Sequence, residues 1–433
     1  MRSHGIADVA ISGAGFAGLT LALALVRCLG PELHVVVLDR DAKATADATG
    51  DDPRAVALSA TSRRLLEALQ VWPRLAAEAE PVRRIEITDS GLDAAMRPVL
   101  LAWANETAEP GRAPSTAAHI VPLPALTQAL EDAVRAEPSI RVVRPAQVTG
   151  MEPGPFDARV LLAGGDAITS RLVVAADGQR SALREAAGIK SVGWPYAQLG
   201  IATTVAHELE HEGVAVQHFL PGGPFAILPL TGRRCCVTWT ESEAEGRRIM
   251  ALGDAAFLDE IDLRFGGRLG PLRLADGQRV ALPGGPLRSA AGSRRAWPLS
   301  LHLARSYIAP RLVLIGDAAH GVHPIAGQGL NLAFRDVAAL TEVIADAART
   351  GLDIGNTMAL ERYERWRRFD SLLAAAAFDA LNRLFSREGR LLRSAREVGL
   401  QIVDRLPALK RTLVGEAAGL TGELPKLLRG ELA

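Results

Sequence analysis

Cysteine is scarce in this chain, with Cys28, Cys235 and Cys236 the only three among 433 residues. Three thiols cannot form a disulfide framework. The adjacent pair sits in an apolar, strand-like run, CCVTW, so core thiols in a reducing compartment are expected. Net charge is missing as well. Lys+Arg and Asp+Glu both total 49, which argues against a nucleic-acid partner. No uninterrupted apolar run approaches the roughly 18–20 residues that a membrane span needs. The N-terminal apolar stretch is interrupted by three glycines at fixed offsets, unlike a signal peptide. These absences leave a cytoplasmic, soluble chain. With 48% hydrophobic residues, it has enough apolar material for a large core and two closely integrated domains.

What is present starts at the N-terminus. The segment DVAISGAGFAG runs from an apolar strand into Gly13-x-Gly15-x-x-Gly18. An apolar helical stretch follows, from about Phe16 to Leu29, and a second strand, HVVVLD, ends at Asp39. This is the βαβ order that a dinucleotide fingerprint requires. Gly13 permits the tight turn. Gly15 removes a side chain where a pyrophosphate must approach the backbone. Gly18 allows close helix–strand packing. The helix N-terminus supplies free N–H groups and partial positive charge. Asp39 can accept hydrogen bonds from a ribose diol, which favours FAD or NAD over NADP.

Two later strands end in similar signals. LVVAADGQRSALR (172–184) places Asp177-Gly178 after a buried-type strand, and RLVLIGD (311–317) ends at Gly316-Asp317. In parallel α/β sheets, ligands gather at the carboxyl ends of strands. Asp317, His320 and His323 are spaced three apart, which raises a metal site as an alternative. The set drifts around a helix, Gly321 and Pro324 disfavour a regular one, and no further Cys/His cluster lies nearby. No metal is expected.

The fingerprint, the middle Asp-Gly and the late Gly-Asp resemble the three motifs of the group A flavoprotein monooxygenases. The resemblance is closest to the FAD-dependent hydroxylases of ubiquinone biosynthesis. It is carried by DPRAVALSATSRRLLEALQVW (52–72), TTVAHELEHEGVAVQHFLPGGPFAILPL (203–230), GDAAHGVHPIAGQGLNLAFRD (316–336) and the general pattern of the tail (402–430). One departure stands at Pro122 and Leu123, where the family usually has a polar residue that contacts the cofactor.

The resemblance implies an α/β fold: a Rossmann-like FAD-binding domain, an interleaved β-sheet substrate domain and a C-terminal helical segment. The expected divisions are FAD-binding parts over 1–75, 118–188 and 301–350, an insertion over 76–117, a mainly β substrate domain over 189–300 and C-terminal helices over 351–433. The cofactor residues it implies are Gly13, Gly15, Phe16, Ala17, Gly18, Asp39, Arg40, Arg54, Asp177, Gly178, Gly316, Asp317, Gly327, Gln328, Gly329, Leu330 and Asn331. A long helix from about Leu330 to Arg349 would point its N-terminus at the flavin, stabilising negative charge on the reduced ring. No catalytic base is assigned; His323 and Pro324 are the loop candidates.

No second GxGxxG exists, so NAD(P)H or another electron donor would meet the flavin only transiently. The implied reaction is O₂-dependent hydroxylation of a polyprenylated aromatic ring through a flavin C4a-hydroperoxide, with the cofactor carrying the chemistry. Residues 195–240 alternate as strands and suit a sheet over the flavin, with Phe219, Phe225, Leu228 and Trp239 as pocket or core residues. Rival readings are hydroxylation of another aromatic, a halogenase, an isoprenoid reductase, an NAD-dependent dehydrogenase, or a non-catalytic FAD-holding subunit of a quinone-biosynthesis complex. The halogenase Trp-x-Trp-x-Ile-Pro motif is absent.

Between Arg383 and Arg411 eight basic residues stand against three acids, with apolar residues at roughly helical spacing from Leu392 to Leu413. This pattern suits docking at the inner face of a membrane or on a partner enzyme. It suits equally a helix that covers the FAD domain with a solvated basic face.

Overall fold

The computed structural model describes residues 6–42, 52–92, 97–107, 115–275, 294–323, 327–385, 406, 414–415 and 418–433. The loop candidate Pro324 and nearly all of the basic C-terminal segment lie outside the described residues.

The fingerprint strand Ala7–Ser12 lies between two parallel neighbours, Val35–Leu38 and Ala167–Ala175. Beyond Val35–Leu38 comes Ile140–Val143, also parallel. The strand Ala167–Ala175 is shared on its far side. Its first half pairs antiparallel with Ala158–Leu162, and its last residues, Val173–Ala175, pair parallel with Leu312–Leu314. Val9, Ile11, Val35, Val37, Leu172, Val174, Leu312 and Leu314 are all inaccessible to solvent. Such continuous apolar runs suit a parallel sheet covered on both faces. The fingerprint helix, Phe16–Leu29, packs against helix Leu123–Arg135 and against the long helix Gly329–Arg349.

A second, mostly antiparallel sheet has the order His320–Gly321, Arg294–Ala304, Ser191–His207, Arg234–Ser242, Gly223–Leu230, Val214–Leu220, Arg84–Asp89 and Leu101–Ala104. Residues from distant parts of the chain therefore complete one sheet. Its far face is covered by helix Asp254–Phe265, which buries Phe257, Ile261 and Phe265 against Phe225, Ile227, Val237 and Trp239. Its near face meets the small sheet formed by Ala55–Ser59, Ala118–Pro122 and Glu80–Pro81. A 29-residue helix, Thr357–Phe385, packs on Gly329–Arg349 and reaches the second sheet at Gly223–Leu230 and Arg294–Ala304. No described helix is long and apolar enough to cross a membrane.

Candidate active site

Three of the parallel strands stop at the same level. Ser12 is in register with Ala175, and Ala175 with Leu314. The loops that follow, at Gly13, Asp177 and Gly316, are therefore neighbours, and their backbones touch. A Cβ on Gly13 would lie 2.3 Å from the Ala176 carbonyl oxygen, and Gly13 also has φ +105°, so only glycine fits. A Cβ on Gly18 would sit 2.0 Å from the Gly13 carbonyl oxygen. A Cβ on Gly316 would meet the Ala17 and Ala333 methyl groups at 3.4 Å. The first loop is thus closed from beneath and from both sides.

It is open on one side only. A Cβ on Gly15, on Gly178 or on Gly329 would meet nothing within 4 Å. Gly15 caps the helix Phe16–Leu29, and Gln328 caps Gly329–Arg349, neither with a side-chain hydrogen bond. Two helix N-termini therefore present unspent N–H groups, which suit phosphate and anionic ring oxygens. Leu330 packs on the domain core as the second helix begins.

The carboxylates of the cradle have distinct settings. One oxygen of Asp177 accepts from the Ala182 N–H at 3.0 Å. Its other oxygen, Oδ1, is enclosed and has no partner. Burial pushes the Asp177 carboxyl above its ordinary value, against the pull of Ser181 and nearby N–H groups. Asp317 is solvent-accessible. The protein packed around it nevertheless raises its pKa, opposed by His320. The two facts agree if the carboxyl faces an open cleft with protein on all other sides.

Asp39 is mostly buried and held by Arg144, whose Nε lies 3.0 Å from Asp39 Oδ2 while its terminal nitrogens grip Glu131 at 2.7 and 3.2 Å. Neither Arg144 nor Glu131 is legible as a site residue from sequence spacing. Arg40 is exposed, with only a loose contact to Asp41 at 3.8 Å. Arg54 forks onto the buried Asp52 at 2.9 and 2.6 Å and lies over the Trp297 ring at 5.4 Å. Although burial raises the Asp52 carboxyl, this pairing holds it below the usual carboxylate range.

The loop that carries Asp317, His320 and His323 separates those three residues rather than joining them. His320 is buried with Nε2 2.6 Å from Asp336 Oδ2. The same oxygen accepts the Gly316 N–H at 2.9 Å, and Asp336 Oδ1 takes Arg367 Nε at 2.7 Å. Asp336 thus ties the late anchor to two helices. An acid on the apolar face of an amphipathic helix was the available sequence signal for this role. His323 points elsewhere. It sits edge-on to Tyr196 with ring centroids 5.0 Å apart, and neither of its nitrogens has a partner. Burial pushes it down to about 4, against the attraction of Asp379. The Tyr196 hydroxyl donates to Asp379 at 2.9 Å, joining the second sheet to the 29-residue helix. Among the described residues, no three His, Cys, Asp or Glu side chains gather as metal ligands.

Asn331 spends its side chain on protein. Its Oδ1 accepts from the Ser59 N–H at 3.0 Å and the Ser62 hydroxyl at 2.7 Å, and its Nδ2 donates to the Ala57 carbonyl at 2.8 Å. It positions the helix start, and only its backbone N–H remains available to a ligand. Gln328 accepts from the same Nδ2 at 3.2 Å. Gly327, at φ +61°, brings the loop against Ala57. Of the apolar pocket candidates on the second sheet, Phe225 and Trp239 face away into the far core, whereas Phe219 and Leu228 face the FAD-domain side.

The glycine loop, the two helix ends without side-chain caps and the unpartnered Asp177 oxygen suit a flavin dinucleotide, and the chain's relatives make it an FAD-dependent aromatic-ring monooxygenase. The FAD binding domain model matches residues 6–257 and 286–369. The ubiquinone hydroxylase UbiL of Rhodospirillum rubrum is 38% identical, covering 98% of this chain and 93% of that one. The 3-demethoxyubiquinol 3-hydroxylase of Escherichia coli is 33% identical, covering 95% and 98%. Among solved structures, p-nitrophenol 4-monooxygenase of Pseudomonas putida superposes with a TM-score of 0.75 at 18% identity, over 96% of this chain and 99% of that one. The chain belongs to the family of FAD-dependent ubiquinone-biosynthesis hydroxylases.

Proposed function

We propose that this protein hydroxylates the aromatic ring of a polyprenylated ubiquinone precursor. The carrying observation is the convergence of the Gly13, Asp177 and Gly316 loops at one end of the parallel sheet, with Leu228 of the second sheet clustered with the Ala57 that abuts the Gly327 loop. The near full-length likeness to ubiquinone hydroxylases supports the substrate class. When bound, FAD would supply the oxygen-activating redox chemistry, with electrons from a nicotinamide or other donor.

The chain's own residues have separable tasks. Gly15, Phe16, Ala17 and Gly18 offer backbone N–H groups and dipole to the pyrophosphate. Asp39, held by Arg144, faces the ribose. Asp177 and Asp317 accept hydrogen bonds from hydroxyls of the cofactor. The start of the Gly329–Arg349 helix stabilises negative charge on the ring. Arg54 backs the cleft with its charge directed at Asp52. His323 stays neutral near pH 7, so it packs against Tyr196 as an uncharged imidazole and not as a cation.

A greasy substrate calls for access to lipid. On helix Thr357–Phe385 the side chains of Phe369, Leu372, Leu373, Leu381 and Leu384 are exposed, with Arg365 and Arg368 exposed beside them. This face, running into the basic sequence that follows, suits peripheral contact with an anionic bilayer. Replacing Phe369, Leu372 and Leu373 with Ser should reduce flotation with anionic vesicles; unchanged flotation would remove the membrane contact. Quinone profiling of a strain lacking this chain tests the substrate. One hydroxyl-deficient prenylated precursor should accumulate and disappear on complementation, whereas an unchanged quinone profile would move the substrate to another aromatic.

A further inference from the structure

Among the polar side chains of the second sheet that nothing above uses is Gln217. Strand Val214–Leu220 alternates between two faces. Val216 and Leu220 enter the far core with Phe225 and Trp239. Ala215 and Phe219 turn the other way. Ala215 joins a cluster that includes Ala55, Ala57 and Leu228, at the FAD-domain boundary. Phe219 packs with Ile87 and with Phe378 of the 29-residue helix. Gln217 lies between Ala215 and Phe219 and so shares their face.

The register places its neighbours. Gln217 is opposite Ile87 on one side and Ala226 on the other, Ala226 is opposite Thr238, and Thr238 is opposite Ala202. Two of these side chains are methyl groups, so the row forms a shallow trough. On one side of the row lies strand Ala55–Ser59, whose Ala57 abuts Gly327 of the cofactor loop. On the other lies Phe378, one residue before the Asp379 that holds Tyr196 beside His323. The Gln217 side chain is half-buried there, and its amide nitrogen is covered but has no hydrogen-bond partner among the described residues. Leaving such a donor unsatisfied is costly, whereas a bound acceptor converts that cost into affinity.

We propose that Gln217 is a substrate-binding residue that donates from its amide nitrogen to an oxygen on the aromatic ring, setting which carbon faces the flavin. A neutral amide binds the oxygen without ionising it, and the small side chain of Ala226, half-buried beside Gln217, leaves room for a flat ring. This rests on the aromatic-hydroxylase reading.

The test uses the FAD-loaded enzyme with two probes, a prenylated phenol and the matched prenylbenzene that lacks the hydroxyl. Binding is read from the change in flavin absorbance, and coupling from hydroxylated product against H₂O₂ released. The wild type should bind the phenol roughly tenfold tighter than the hydrocarbon, about the worth of one buried hydrogen bond. Q217L should bind both equally and release a larger share of H₂O₂, with FAD content unchanged. Q217M serves the same purpose if Q217L folds poorly. Q217E, which places an acceptor where a donor is needed, should lose the preference too. A leucine variant that keeps the wild-type preference and coupling would overturn the role of Gln217 alone. A wild type that hydroxylates no prenylated phenol would overturn the underlying reading, and this inference with it.

Discussion

Asp177 shows what a single residue can carry. Its Oδ2 secures the turn through the Ala182 N–H, while its Oδ1 is enclosed and unpaired. Burial holds its folded pKa above the unfolded value. The stability it contributes is therefore present below the unfolded pKa and lost as pH rises through the folded one. The ionised form is a cost to the apoprotein that a donor on the cofactor would offset. D177N should then act in opposite directions. The apoprotein should melt at a higher temperature, while FAD should dissociate at least tenfold more readily, since a charge-assisted hydrogen bond is worth about 1.5–3 kcal/mol. Thermal denaturation without FAD and fluorescence titration with FAD read the two effects separately. A variant that loses stability and keeps its FAD affinity would make Asp177 purely structural.

The fingerprint glycines make their distinction as parts of one strand–turn–helix element. Gly15 faces open space with φ −81°, which any residue adopts, and Gly18 faces the Gly13 carbonyl. G15A should leave apoprotein stability within about 1 kcal/mol, the scale of a helix-cap change, yet weaken FAD binding by placing a methyl group where phosphate must approach. G18A should destabilise the chain with or without FAD, by about 1–3 kcal/mol as overpacking does. Urea denaturation of both apoproteins checks this, and equal stability losses would contradict it. The glycine offsets made this element readable from sequence, because each demand is met within a few residues. The supports of the later loops were not readable in the same way. Asp336, Arg367 and Arg144 are charged residues in elements distant from the groups they hold, and only packing assigns their partners. The resemblance implied Asn331 as a cofactor residue; its side chain bonds strand Ala55–Ser59, which leaves its backbone N–H for that role.

Across the whole molecule, buried histidines couple stability to pH. Burial pushes His119, His302 and His323 down to about 4 and His218 to about 3. The unfolded chain takes up these protons near pH 6.5. As pH falls from 6.5 toward 4.5, the unfolded state binds protons that the folded state refuses, so each such histidine lowers stability by about 1.4 kcal/mol per pH unit. Asp177, Asp317 and Glu241, whose carboxyls are raised by burial, pull the other way. The clean readout is therefore a difference in slope. H218Q, at a site where the imidazole Nδ1 pairs with the Thr88 hydroxyl at 2.5 Å, should flatten the dependence of unfolding free energy on pH by about one proton's worth relative to wild type. Denaturant titrations at pH 6.5, 5.5 and 4.5 measure it, and parallel curves would rule it out.

By itself the sequence determined the cofactor class and the glycine-rich turn that suits it. Binding a pyrophosphate demands glycines, free backbone N–H groups and a nearby acid at short fixed spacing, and those demands are written locally. The tertiary structure alone decided that the strands behind Gly13, Asp177 and Gly316 lie side by side with their ends level. It also decided that Phe225 and Trp239 belong to the core while Phe219 and Gln217 face the cofactor side. A strand's alternation states that it has two faces. Which face is buried and which receives a ligand depends on what packs against it from hundreds of residues away.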